Sequence, residues 1–274
     1  MNGQVQRVRD GALELMRSDR WQEWLKVQAR FHRYSFYNSM LIYLQRPEAT
    51  RVAGYRTWQS LGRQVRRGEK GISILAPVPF RKVRDDGEEI GGIWFKTVYV
   101  FDVAQTDGDP LPEVIQLLQG DDHLAHYARL LAVAQGQGYR LREVERMEAN
   151  GATNRDGAIL IKAGLSPNQK VKTLLHELAH QALGHPQEED GDRAVQELEA
   201  ESVAYILSEQ LGLDSSGYSF GYLAHWSEDP QVLADVLTAS GTRIARCARA
   251  LLDQLDGEGA PEAASLPPLA LPVP

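Results

Sequence analysis

Residues 166–184, SPNQKVKTLLHELAHQALG, carry the start, body and stop of a single helix. Ser166 can cap the first turn, Pro167 suits the first helical position, and Gln169 can complete a capping box. Leu174, Leu175, Leu178, Ala179, Ala182 and Leu183 give the helix an uncharged, buried setting, and Gly184 can take the left-handed conformation that ends it. On such a helix His176 and His180 lie one turn apart on the same face. Two imidazoles at that spacing can hold one zinc ion, with manganese as the substitute, and Glu177 falls beside it.

Zinc in a catalytic site takes three protein ligands and keeps one position open. Glu197 and Glu201 lie one turn apart on the next helix and flank its apolar stripe of Ala200, Val203, Ala204, Leu207 and Leu211. Glu197 is the expected ligand, and Glu201 the expected acceptor for the ring N–H of a liganding histidine. Glu199, about 200° from Glu197 around the helix, is expected on the opposite side. His185 is the rival third ligand, although its spacing from His180 does not fit the longer His-x-x-Gly-x-x-His pattern. The chemistry implied is metal-assisted hydrolysis, with Glu177 taking a proton from water and returning it to the leaving amine. Tyr218, Tyr222 and His225 are the candidate donors to the oxyanion.

Outward from this helix, an acidic loop at 187–192 leads to a helix over 193–211, and a last helix covers 230–255. Before it come a helix near 123–135 and strands near 139–144 and 157–163. The first ~62 residues read as helical by their apolar periodicity. Ser18 and Ser35 serve there as caps, Pro47 as a stop, and a short helix lies near Tyr55–Leu61. Then a strand over 71–78 precedes a hairpin, 79–83 and 93–103, turning at Asp85-Asp86-Gly87. Residues 104–112, rich in Asp, Gly and Pro, read as a linker.

The 274 residues, 43% hydrophobic and 24% charged, suit a soluble globular chain long enough for two domains. No apolar run approaches the ~20 residues of a membrane span, so no membrane partner is expected. The N-terminal segment lacks the apolar centre of a secretion signal. The single cysteine, Cys247, suits a reducing compartment, and a cytoplasmic location is expected. The net charge of −7 hides an asymmetry: residues 1–100 carry 18 Lys and Arg against 10 Asp and Glu, and the rest carry 12 against 27. A basic front and an acidic back point to an anionic partner for the front. There, Tyr34, Tyr37, Tyr43, Tyr55 and Trp58 interleave with Arg30, Arg33, Arg51, Arg56, Arg66, Arg67 and Lys70, the pattern of stacking platforms beside a basic groove for single-stranded DNA.

Several stretches together resemble the ArdC-type antirestriction proteins of plasmids and phages. These are Tyr34-Ser-Phe-Tyr-Asn38-Ser-Met-Leu41, Gly54-Tyr-Arg-Thr-Trp58, Gly68-Glu-Lys-Gly71 and Val100-Phe-Asp-Val-Ala-Gln-Thr-Asp-Gly108, followed by His176–His180, Glu197–Glu201 and Tyr222-Leu-Ala-His-Trp226. The resemblance spans residues ~20–255 and implies an α+β chain. An N-terminal helical and β-hairpin domain, 1–108, would bind single-stranded DNA, with Arg33, Tyr37, Asn38, Arg51, Tyr55, Trp58, Arg66, Arg67 and Lys70 as its contacts. A zincin-like metallopeptidase domain, 109–256, would follow, cutting a protein or peptide substrate. Residues 257–274 would be a disordered Pro-rich tail, which the resemblance does not explain. The second half is also similar to the ImmA/IrrE peptidases, whose Glu-x-x-Ala-acid pattern reads here Glu197-Leu-Glu-Ala-Glu201, with Glu where Asp or Asn is frequent.

Three functions follow from these readings: a DNA-associated metallopeptidase, a non-catalytic antirestriction protein with structural zinc, or a peptidase cutting a regulatory protein. Glu177 favours the first, because a structural metal site needs no general base.

Overall fold

The structure, a computed structural model, describes residues 3–17, 20–83, 89–111, 123–215, 218, 220 and 229–257. Ser18, the turn at 85–87, Tyr222, His225 and the Pro-rich tail beyond Gly257 lie outside the described residues. The fold is α+β.

Three helices open the chain: α1 (Gly3–Arg17), α2 (Trp21–Arg30) and α3 (Phe36–Gln45). The hydroxyl of Ser35 accepts from the Asn38 amide and so caps α3. A three-stranded antiparallel sheet follows, in the order β1 (Val52–Gly54), β4 (Glu89–Asp102), β3 (Ile72–Val83). The sequence divides β3 at Val78, but the structure runs it unbroken through Pro77 and Pro79, paired with Phe95 and Ile93. Proline lacks the amide hydrogen a central strand needs, and β3 tolerates two because it is an edge strand. The short helix α4 (Tyr55–Ser60) leads to β2 (Arg63–Val65), which pairs with β5 (Thr106–Gly108). Residues 104–108 are therefore structure rather than linker. The capping box of Asp102 and Gln105 closes a 3-10 turn there, and β5 follows at once.

Helix α5 (His123–Gly136) precedes a second three-stranded sheet, ordered β6 (Arg140–Val144), β8 (Ala158–Lys162), β7 (Gly151–Thr153). β6 runs parallel to β8 and β7 antiparallel. Three residues of β7, one of them glycine, show no alternation, so the sequence does not announce this strand. Then come α6 (Pro167–Leu183), α7 (Arg193–Gln210) and α8 (Pro230–Asp256). Ser166 caps α6 and Gly184, at φ 80°, ends it. The capping box is half made, since the Gln169 side chain turns to Thr173 Oγ1 instead.

One hydrophobic cluster joins front and back, from Val8, Trp24 and Met40 through Leu174, Val203 and Ile206 to Leu237 and Leu251. Inside it the Trp21 indole Nε1–H donates to Ser202 Oγ at 3.0 Å, so α2 is fastened to α7. Among the described residues no helix is long and apolar enough to cross a membrane.

Candidate metal centre and nucleic-acid interface

Helix α6 lies between β7 and β8 on one side and α7 on the other. It brings His176 and His180 to α7, which supplies Glu197, and the ligand atoms of the three lie within 4.8 Å of one another. Nε2 of His176 stands 3.4 Å from Glu197 Oε2 and Nε2 of His180 3.7 Å from it. One turn further along α7, Glu201 Oε2 accepts from Nδ1 of His176 at 3.0 Å. His185 is not in this group. It is buried behind His180, its Nδ1 2.8 Å from that of His180 and its Nε2 3.0 Å from Glu199 Oε2. Glu199 points away from Glu197, but what it meets there is not solvent: it is buried and forms an ion pair with Arg243 of α8 at 3.1 Å.

The charges agree with a cation at this spot. Burial opposes a proton on His176, yet its hydrogen bonds to Glu197 and Glu201 prevail and push its pKa up to about 10. Hydrogen bonds from His176 and His180 hold the Glu197 carboxyl well below the usual carboxylate range. Burial lowers the pKa of His180. Two imidazoles and a carboxylate, gathered where the field favours positive charge, are a donor set that fits a divalent ion.

Beside them Glu177 is buried, and burial pushes its carboxyl up to about 7, His176 pulling against the shift and Glu197 adding to it. It lines a cavity of about 350 Å³ together with His176, Glu201, Gly151, Lys172 and Tyr218. Tyr218 is one of the residues lining this cavity, and its hydroxyl is 2.9 Å from the buried Ser208 Oγ. Sequence reasoning passed over Lys172, whose Nζ sits 5.7 Å from the centre of the Tyr218 ring and 3.7 Å from Asp214. Its place one turn before His176 was the available signal.

In the front half the structure corrects two of the proposed DNA contacts. Asn38 is buried and serves the fold, its carboxamide bonding both the N–H and the C=O of Leu75 at 2.9 Å. Trp58 is buried too, its indole donating to Phe101 O at 2.8 Å, so neither side chain can reach a base. Arg66 is exposed and pairs with Glu69 at 2.9 Å and Asp107 at 3.3 Å. Arg51, Tyr55, Arg67 and Lys70 are exposed around the loop between β2 and β3 and the start of α4. Arg33 and Tyr37 lie on a different side: the Arg33 carbonyl accepts from Arg249 of α8, and Tyr37 is half-buried against Phe36. Sequence reasoning missed Tyr99, 62% exposed, and Phe101, whose ring meets Tyr55 edge-on at 6.4 Å. Spaced two apart on β4, they share one face of the strand, a signal that alternation alone could have given. Trp94 and Phe80 are exposed further out along the same hairpin.

Residues 11–102 match a family model described as the N-terminal domain of anti-restriction factor ArdC. An uncharacterized protein of Bacillus anthracis, pXO2-81, is 25% identical over 254 residues, covering 76% of this chain and 43% of its own. The chain thus spans less than half the length of that curated relative. Crystal structures of the antirestriction ArdC protein from the R388 plasmid, metal-free and Mn(II)-bound, superpose with TM-scores of 0.63 and 0.64. Each is 21% identical to this chain and covers 93% of it and 99% of the crystallised chain, which establishes a common fold. The front third of the chain is thus matched to the ArdC N-terminal domain, and the chain shares its fold with an ArdC protein over 93% of its length.

Proposed function

We propose that this protein is a DNA-associated metallopeptidase with an antirestriction role. Its front would bind single-stranded DNA and its back would cut a protein substrate, the functions dividing near residue 108. The observation that carries the reading is the convergence of His176, His180 and Glu197, with the buried Glu177 beside them. Two nitrogens and one carboxylate suit zinc, and the Mn(II) in the R388 protein supports a divalent ion more generally. Such an ion would supply Lewis acidity for activating water and polarising a carbonyl.

The chain's own residues would do the rest. Glu177, raised to about 7 by burial, can accept a proton at its carboxylate and hand it on to a leaving amine. Glu201 holds the His176 ring through Nδ1, which leaves Nε2 facing Glu197. Among the described residues β7 is paired on one side only, so its other edge can align an extended peptide beside Glu177. In the front, Tyr55, Tyr99 and Phe101 offer stacking faces beside Arg67 and Lys70.

The test incubates wild-type and Glu177→Gln protein with cell lysate and zinc or manganese, with and without single-stranded DNA. New protein termini are then sought by mass spectrometry. Termini made by wild type and lost by ~10²-fold or more in the variant support the reading. Equal cleavage by a variant that still binds metal would reject it.

A further inference from the structure

Resting on that metal reading, we infer that His185, backed by Glu199 and Arg243, is a positioning residue. It fixes which nitrogen of His180 carries the proton, and through this sets the affinity of the site for its metal. Glu199 Oε2 is an acceptor 3.0 Å from His185 Nε2, so that nitrogen carries the hydrogen. A neutral imidazole protonated at Nε2 has a bare Nδ1. His185 Nδ1 lies 2.8 Å from His180 Nδ1, and two bare nitrogens would repel at that distance. With both rings neutral, His180 is then the donor, with its hydrogen on Nδ1. Its Nε2 is left with a free lone pair, 3.7 Å from Glu197 Oε2 and 3.1 Å from His176 Nε2, whose hydrogen occupies this gap until a metal replaces it.

The two histidines of the helix are thus prepared by different routes. His176 gives its Nδ1 hydrogen directly to Glu201, and His180 gives its own to a second histidine that passes the demand on to Glu199. Both side chains of the relay are buried, His185 2% and Glu199 3% exposed, so water does not compete for these bonds. Arg243 fixes the far end. Its Nε forms an ion pair with Glu199 Oε2 at 3.1 Å, while Nη2 donates to Glu188 and the Leu183 carbonyl, each at 2.9 Å. The last residues of α6, the turn after it and helix α8 are thereby tied to one ring orientation. His185 itself has both ring nitrogens engaged on the side of His180 away from Glu197, so it supports a ligand without being one.

The test uses the full chain, labelled with ¹⁵N-histidine and stripped of metal. A two-bond ¹H–¹⁵N correlation spectrum at mildly alkaline pH reports the tautomer of His180. Titration with Mn(II) and with Zn(II) then compares wild type, His185→Asn and His185→Leu. The expected result is a proton on Nδ1 of His180 in wild type and in the Asn variant, whose Oδ1 can accept where Nδ1 did. The Leu variant should shift the proton to Nε2 and bind metal about 10–100-fold more weakly, while Asn retains most of the affinity. A wild-type His180 protonated at Nε2, equal affinity in the Leu variant, or an Asn variant as weak as Leu would each overturn the proposal. Should the Leu variant fail to fold by circular dichroism, the wild-type spectrum and the Asn variant decide. Wild type that takes up neither ion would sink the metal reading itself, and the spectrum still decides the tautomer, so the two failures are told apart.

Discussion

A methyl group added at Gly151 would sit 2.6 Å from Glu177 Oε1 and 2.6 Å from Thr173 Cγ2. Strand β7 therefore approaches α6 at the one residue type that leaves room for the carboxylate. Gly151→Ala should displace Glu177 by a fraction of an ångström to an ångström, lower hydrolysis by about 10²-fold and leave the metal content unchanged. Parallel measurement of cleavage and bound metal checks this, and metal loss would show that the glycine serves the ligands instead. Cys247 makes a second prediction. Burial pushes its thiol up to about 12, with Glu199 adding to the shift, so a thiol reagent should modify it only after denaturation. Fast labelling of the native protein would contradict its buried place. At this scale the sequence is most readable where the relation is local. The spacing of His176, Glu177 and His180 on one helix requires only a turn of 3.6 residues. Glu199 is not readable in that way. A helical wheel gives its direction, but its partners, His185 and Arg243, come from other segments and meet it only when the chain is folded. Asn38 and Trp58 misled for the same reason: a polar and an aromatic side chain in a basic stretch suggest a surface, and the fold spends both on its own backbone.

Among the elements, α8 is a helix of 27 residues with a glycine, Gly241, in its interior. Interior glycine costs a helix about 1 kcal/mol relative to alanine. The compensation is packing, since a Cβ at Gly241 would overlap the Phe36 ring of α3. Gly241→Ala should therefore destabilise the protein by about 1–3 kcal/mol despite the better helix propensity. Gly136, at the end of α5 with nothing within 4 Å of an added Cβ, is the control. There Gly136→Ala should stabilise by about 0.4–1 kcal/mol. Urea titrations of both variants read the two signs, and a stabilising Gly241→Ala would show that Phe36 has room to move. Helix boundaries were legible because their signals are chemical and local: Ser35 and Ser166 at the starts, Gly184 at a stop. The strands were less so. β5 and β7 have three residues each, too few for alternation, and exist because β2 and β8 lie beside them. The prolines that split β3 in the sequence are harmless at an edge, and being an edge is a property of the sheet, not of the strand.

For the molecule as a whole, the charge asymmetry suggests two separate domains, whereas the core is continuous across them. Trp21, Phe36 and Met40 of the front pack in the same cluster as Val203, Leu237 and Leu251 of the back. Urea unfolding should be a single transition, coincident by far-UV circular dichroism and by tryptophan fluorescence. Two separated transitions would mean that each half holds its own core. DNA binding is accordingly tested on the full chain. Affinity for single strands should fall with salt at a log-log slope of ~0.7 per phosphate contact. Tyr99→Ala should weaken binding by about 1–3 kcal/mol with the slope nearly unchanged. Arg67→Ala with Lys70→Ala should instead flatten the slope, and a Tyr99→Ala protein that binds as wild type would remove the stacking face from the interface. Helix α7 has one more consequence. It presents Glu197 and Glu201 on one side and, at the next residue, Ser202 to Trp21 of α2 on the other. One rigid rod is thus part of both halves, and thermodynamics makes any traffic along it symmetrical. Whatever factor bound metal contributes to the affinity for a nucleic-acid strand, the strand must return to the metal, so a DNA titration with and without metal also measures what DNA does to the metal site.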